Sequence, residues 1–235
     1  MTLGLILGLS VVAFAAAFLQ GAIGIGFALI LAPVLGLVAP WMLPVTLLVL
    51  MLPLNGLVAW RERAAVDWSG AGWITAGRFA GTFAGLWLLA VLSAGQLDLA
   101  VGWFTVAAAL AALIAPRFDP GRPAALVVGL VTGVTETSTG IGGPPLALLY
   151  QHAAAPVLRA TVAVCFLAGE VISLVMLVLA GQGTRSQWLA ALALIPAVLA
   201  GTALSRMTHH RIGGKGLRVA VLVFALVSGA LLIVR

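Results

Sequence analysis

Apolar stretches of about twenty residues follow one another along almost the whole chain, parted by short polar breaks near residues 61–69, 93–98, 116–123, 151–156, 181–187 and 206–216. Twenty helical residues extend about 30 Å, the hydrocarbon thickness of a bilayer. Hydrophobic residues make up 63% of the 235 positions and charged residues 8%, with a mean hydropathy of +1.22. No soluble fold of this size hides so much apolar surface, so lipid must cover the remainder. The alternation expected of a β-barrel is absent. The expectation is an all-α integral membrane protein, with the lipid bilayer as its first partner.

Charge excludes other classes. The formal net charge is +6, but the Lys and Arg residues are scattered in the breaks and form no basic stripe among aromatics. Nucleic-acid binding is therefore not expected, and a positive-inside bias of membrane loops accounts for the charge. Cys165 is the single cysteine and lies in an apolar run, so it reads as a small core residue. The first twenty residues lack a basic leader and run on past Gly21, which reads as a mature membrane helix.

Two stretches, 1–39 and 124–150, are too long for one crossing and are interrupted by glycines: Gly21, Gly24 and Gly26 in one, Gly133, Gly140, Gly142 and Gly143 in the other. Glycine lets a backbone leave helical geometry, so each cluster reads as a break. The halves also resemble each other. Gly24-Ile25-Gly26 matches Gly140-Ile141-Gly142 at a shift of 116, and Asp67-Trp68 with Gly81-Thr82 matches Gln187-Trp188 with Gly201-Thr202 at a shift of 120. A duplication explains this, with a first repeat over 1–116, a polar linker at 117–123 and a second repeat over 124–235. Each repeat holds a glycine-broken helix or short hairpin plus about three transmembrane helices.

Loop charge distinguishes two arrangements. If each broken stretch crosses once, the arginines divide poorly between the two faces. If each is a hairpin, Arg61, Arg63, Arg117, Arg122, Arg206, Arg211, Lys215 and Arg218 share one face, opposite Arg185 and Arg235. The second arrangement obeys the positive-inside tendency better and makes the repeats inverted, a common transporter design.

A helix broken in the membrane exposes unsatisfied N–H groups and a positive dipole end, for which an anion is a natural partner. That points to Gly24, Gly26, Gly140, Gly142 and Gly143 as backbone that approaches a substrate; close helix packing is the plainer alternative. Pro144 and Pro145 suit a first helical turn. Thr135, Thr137 and Ser138 lead into the second cluster and offer hydroxyl donors to an oxyanion. Glu136 between them is an ionisable group at membrane depth, either a proton carrier or a structural or vestibule residue; Gln20 stands at the corresponding place in the first half. Arg159 offers a countercharge for an anion. Arg78 reads as snorkelling to the interface rather than binding substrate, and Asn55 and Glu170 are further buried-polar candidates.

Other features have structural readings. Gly77, Gly81 and Gly85 form a small-residue stripe for close packing within the protomer or across a homodimer. Trp41, Trp60, Trp68, Trp73, Trp103 and Trp188 lie near segment ends as interfacial anchors. His209-His210 sits in a basic loop and reads as solvated. With one Cys and three His, no metal site and no cofactor is expected.

The chain resembles the sulfite exporter TauE/SafE family. The resemblance rests on Gly21-x2-Gly24-Ile25-Gly26, Gly140-Ile141-Gly142-Gly143-Pro144-Pro145, Arg159-Ala160-Thr161, Val66-Asp67-Trp68 and Gly201-Thr202, in order along the chain. It implies a multi-pass permease of the cytoplasmic membrane that moves small sulfur-containing or organic anions such as sulfite, sulfoacetate or sulfonates. An ion gradient (a proton or another cation) or the membrane potential would drive it. Where the family's first motif continues with further glycines, this chain has Phe27-Ala28-Leu29. The alternatives are a membrane scaffold and an intramembrane enzyme; the chain shows no nucleophile–base pair, HExxH or Asp-rich motif that an enzyme would need.

Overall fold

The computed structural model describes residues 3–114, 121–150, 152–208 and 215–234, and its regular elements there are all helical. They are α1 (Leu3–Ile23), α2 (Phe27–Val38), α3 (Val45–Arg61), α4 (Trp68–Val91), α5 (Ala94–Ile114), α6 (Arg122–Thr139), α7 (Gly143–Tyr150), α8 (Ala155–Leu179), α9 (Arg185–Thr208) and α10 (Lys215–Val234). Among the described residues four helices (Leu3–Ile23, Trp68–Val91, Ala155–Leu179 and Arg185–Met207) are long and apolar enough to cross a membrane, and shorter apolar helices lie between and after them. Large apolar side chains such as Leu7, Val11, Phe79, Phe83, Trp87, Val175 and Leu192 face outward, where lipid rather than water is the solvent they fit. The protein is an integral membrane protein.

Both glycine clusters turn the chain back on itself. The end of α1 lies beside the end of α9, through Gly21 and Ser205. Yet α2 finishes near the start of α9, where Gln187 Nε2 donates to Trp41 O at 2.9 Å and Leu43 O at 3.2 Å. In the second half α6 starts, and α7 ends, around Asp67: the Tyr150 hydroxyl donates to Asp67 Oδ2 at 2.8 Å, and Gly121 and Arg122 line the same small cavity. Gly26, with φ 128°, stands ahead of α2, and Gly140, with φ 80°, caps α6. A side chain would strain both places.

These directions put the ends of α3, α5, α7 and α9 and the starts of α4, α6, α8 and α10 on one face. Arg61, Arg63, Arg122 and Arg206 lie there, with Arg185 opposite at the start of α9. Positions 215 and 218 also begin α10 on the basic face. The readings made for Arg117, Arg211, Arg235 and His209-His210 fall outside the described residues. So does most of the 117–123 linker; its last two positions already belong to α6, since Pro123 suits the first turn of a helix.

Backbone-to-backbone packing builds the bundle. A Cβ on Gly77, Gly81 or Gly85 of α4 would stand 2.1, 2.2 or 2.7 Å from carbonyl oxygens of Leu126, Leu130 and Val134 on α6. Gly129 and Gly133 of α6 face Ile74 and Arg78 of α4 in the same way. The stripe is therefore used inside the protomer. Such closeness gains dispersion and removes void, which is how helices associate where no hydrophobic effect drives them. Helix α1 packs on α9 similarly, where a Cβ on Gly201 would stand 2.2 Å from Phe14 O. Two pairs run antiparallel: α3 on α8, where Asn55 meets Glu170, and α5 on α10, where Gly102 and Gly229 face each other. Cys165 is fully buried.

Candidate functional site

Polar side chains in the apolar interior gather along the seam between α3, α4, α6 and α8. Glycine packing of α4 against α6 turns Arg78 inward, toward α8. Arg78 is 1% exposed and Glu136 0%, and Arg78 Nη2 donates to Glu136 Oε2. The guanidinium rests in a space left by Gly169, whose Cβ would lie 1.9 Å from Arg78 Cζ, and stands 5.6 Å from the Phe166 ring centroid. Glu170, the next residue on α8, is also fully buried. The expectation that Arg78 snorkels to the interface is overturned: with the α6 backbone on one side and Glu136 to receive it, the side chain has a partner inward and no room to leave.

The cluster is not saturated. Arg78 Nε and Nη1, Glu136 Oε1, Glu170 Oε2 and Thr132 Oγ1 are buried without a hydrogen-bond partner among the described residues. In a low-dielectric interior such groups are costly and mark function. From Glu170 a relay of amides leads away. Asn55 Nδ2 donates to Glu170 Oε1 at 2.6 Å, Gln20 Nε2 donates to Asn55 Oδ1 at 3.0 Å, and Phe27 N–H donates to Gln20 Oε1 at 2.9 Å. Phe27 is the first residue of α2, so the relay joins the first helix break to the buried acid. Gln20 satisfies one of the orphan donors there itself.

The glycines and hydroxyls named from the sequence are spread over several places. Gly24 lies against α8, where a Cβ would stand 2.6 Å from Leu158 Cδ2 and 2.9 Å from Arg159 Cγ; Gly26 lies against Val221. Gly140 meets Leu47, Gly142 meets Glu136 and Thr132, and Gly143 meets Phe166. The breaks are thus seated about 10 Å apart along α8, from Arg159 to Phe166, at 1.5 Å per residue. Gly24 and Arg159 come together, as do Gly142 and Glu136.

Thr135 donates to Thr132 O at 3.3 Å and Ser138 to Val134 O at 2.8 Å, back onto their own helix. Thr137 meets Ser173 Oγ at 2.8 Å. Thr135 lines one small cavity with Phe104 and Ile141, and Ser138 another with Trp41 and Asp98. Arg159, the expected countercharge, spans both oxygens of Glu62 at 2.9 and 3.0 Å. Arg61 holds the same carboxylate at 2.9 Å and donates to Gly21 O at 2.9 Å. Glu62 was not foreseen as a site residue, because a charged residue in a polar break carries no signal of what lies across from it.

Beside this ion-paired corner, on the basic face, opens a cavity of about 520 Å³ lined by Leu57, Trp60, Arg61, Arg63, Thr202, Ala203 and Arg206. Arg63 stacks over Trp60 at 4.7 Å. The cavity is cationic, shaped by one aromatic plane, and reaches the first helix break through Arg61.

Re-entrant helical hairpins, a saturated apolar exterior and unsatisfied charge in the interior define a polytopic membrane transporter. The chain matches the model of the sulfite exporter TauE/SafE family over residues 9–232 and belongs to that family. No curated protein and no solved structure matches it.

Proposed function

We propose that this protein is a secondary permease for a small sulfur-containing or organic anion, of the sulfite, sulfoacetate or sulfonate class, in the cytoplasmic membrane. The observation that carries the anion reading is the arginine-lined cavity on the basic face. Guanidinium groups bind sulfonate and carboxylate oxygens bidentately, and the surrounding field raises the local anion concentration. Arg61, Arg63 and Arg206 would receive the anion; Arg159 and the Gly24–Gly26 backbone lie just beyond, and Gly140, Gly142 and Gly143 line the second break near Glu136. Thr135, Thr137 and Ser138 would become donors after a change of conformation that frees them from their present acceptors.

The same reading makes the halves inverted repeats. Supporting it, exchanging the halves maps the α4–α6 pair onto α9–α1, and maps α3–α8 and α5–α10 onto themselves as antiparallel pairs. Self-paired helices that run antiparallel are related by an axis in the membrane plane. Alternating access then follows from one repeat rocking against the other, with a proton or another cation as coupling partner. A scaffold would gain nothing from a buried, unsaturated ion cluster, so that alternative is disfavoured.

Uptake into proteoliposomes tests the proposal, comparing sulfite, sulfoacetate, taurine and a carboxylate with and without a pH gradient. Saturable flux of a sulfur oxyanion, weakened in Arg61→Ala and Arg159→Ala, supports it. Absence of flux for every anion from folded, oriented protein rejects it.

A further inference from the structure

On that transporter reading, we propose that Glu136 and Glu170 hold one exchangeable proton between them, with Arg78 as their common countercharge, and that this proton is the coupling ion. The geometry carries the argument. Both carboxyls are fully buried, Arg78 pairs directly with Glu136, and the same guanidinium fills the space at Gly169, the residue of α8 that precedes Glu170. Two carboxylates against one guanidinium leave one uncompensated negative charge in a hydrocarbon interior, and one proton removes it. Glu136 Oε1 and Glu170 Oε2 each keep an oxygen without a partner among the described residues, so either can take the proton.

Among the described residues the surroundings add no second cation to this centre. From the elements packed on this centre come Asn55 of α3, a neutral amide; Arg78 of α4; Thr132 and Glu136 of α6; and Cys165 and Glu170 of α8. Asp67, toward the basic face, accepts from the Tyr150 hydroxyl.

The first half carries the contrast. Gln20 stands 116 residues before Glu136, and Asn55 stands 115 before Glu170. The two acids of one half are thus matched by their amide counterparts in the other. Amides hydrogen-bond but do not take up protons at these pH values. One half is fixed as a neutral relay from Glu170 to the first N–H of α2; the other is titratable. In a transport cycle the proton would enter from one aqueous side, form an O–H bond on either carboxyl, and leave to the other side. No other bond changes.

Two measurements on the full-length protein test this. Infrared spectra of wild-type protein in lipid nanodiscs at neutral pH are expected to show a carboxylic acid C=O band that shifts in D2O and is lost or moved in Glu136→Gln and Glu170→Gln. Absence of that band in the wild type overturns the proposal, whatever the variants do. In proteoliposomes, the ratio of sulfite flux with and without a pH gradient exceeds one for the wild type and falls to unity in Glu170→Gln. A ratio unchanged in both variants, or a flux driven by a sodium gradient at fixed pH, also overturns it. A band present without flux of any anion would instead reject the transporter reading and leave the proton site standing.

Discussion

Gly169 on α8 and Arg78 on α4 occupy one volume: the space a Cβ would take at 169 is filled by the guanidinium, 1.9 Å from Cζ. The smallest residue on one helix is what allows the largest fully buried side chain on another to meet Glu136. Gly169→Val should expel that group, break the buried pair and cost about 3–5 kcal/mol. Thermal unfolding in detergent measures this; a midpoint equal to wild type would show that the guanidinium has another resting place.

Arg78→Leu removes the countercharge and leaves the one ionised carboxylate of the pair uncompensated, so it should destabilise by a similar amount, about 3–5 kcal/mol. Adding Glu136→Gln to it should recover part of the loss, because the double variant buries one charge fewer. A double-mutant cycle reads the coupling directly. Strict additivity would mean that the two side chains do not interact.

Glycines in this bundle fall into two kinds, and substitution should separate them. At Gly81 a Cβ meets Leu130 O at 2.2 Å, so Gly81→Leu should force α4 off α6 and give aggregated protein on size-exclusion chromatography. At Gly8 and Gly72 nothing lies within 4 Å. Alanine there should be neutral or stabilising by up to about 1 kcal/mol through helix propensity.

Helix directions predict sidedness. With the buried Cys165 replaced by Ala, single cysteines at Arg63 and at Gly183 should react with a membrane-impermeant thiol reagent from opposite sides. Labelling of both from the same side in oriented vesicles would refute the hairpin arrangement of α6–α7, the broken stretch that lies between the two positions.

The cationic cavity predicts a kinetic division. Arg63→Ala and Arg206→Ala should raise the KM for the transported anion and flatten its dependence on salt, with a smaller effect on maximal rate, since these residues act on encounter. A fall in maximal rate at constant KM would place them in the conformational step instead.

Membrane residence, helical class, the two break points and the basic face are all readable from residue order, because each is a local matter: hydropathy over twenty residues, glycine where φ turns positive, arginine beside a helix end. Glu136 stood out for the same reason, as an acid amid apolar sequence. What residue order left undecided is pairing across the bundle. Whether Arg78 reaches outward to water or inward to Glu136 depends on the face that Gly77 and Gly81 press against α6, and on the space at Gly169, 91 positions later in the chain. Arg159 in turn spends its charge on Glu62, 97 positions away. Burial makes such partners worth having, and only the packing of helices distant in sequence decides which charges share one volume.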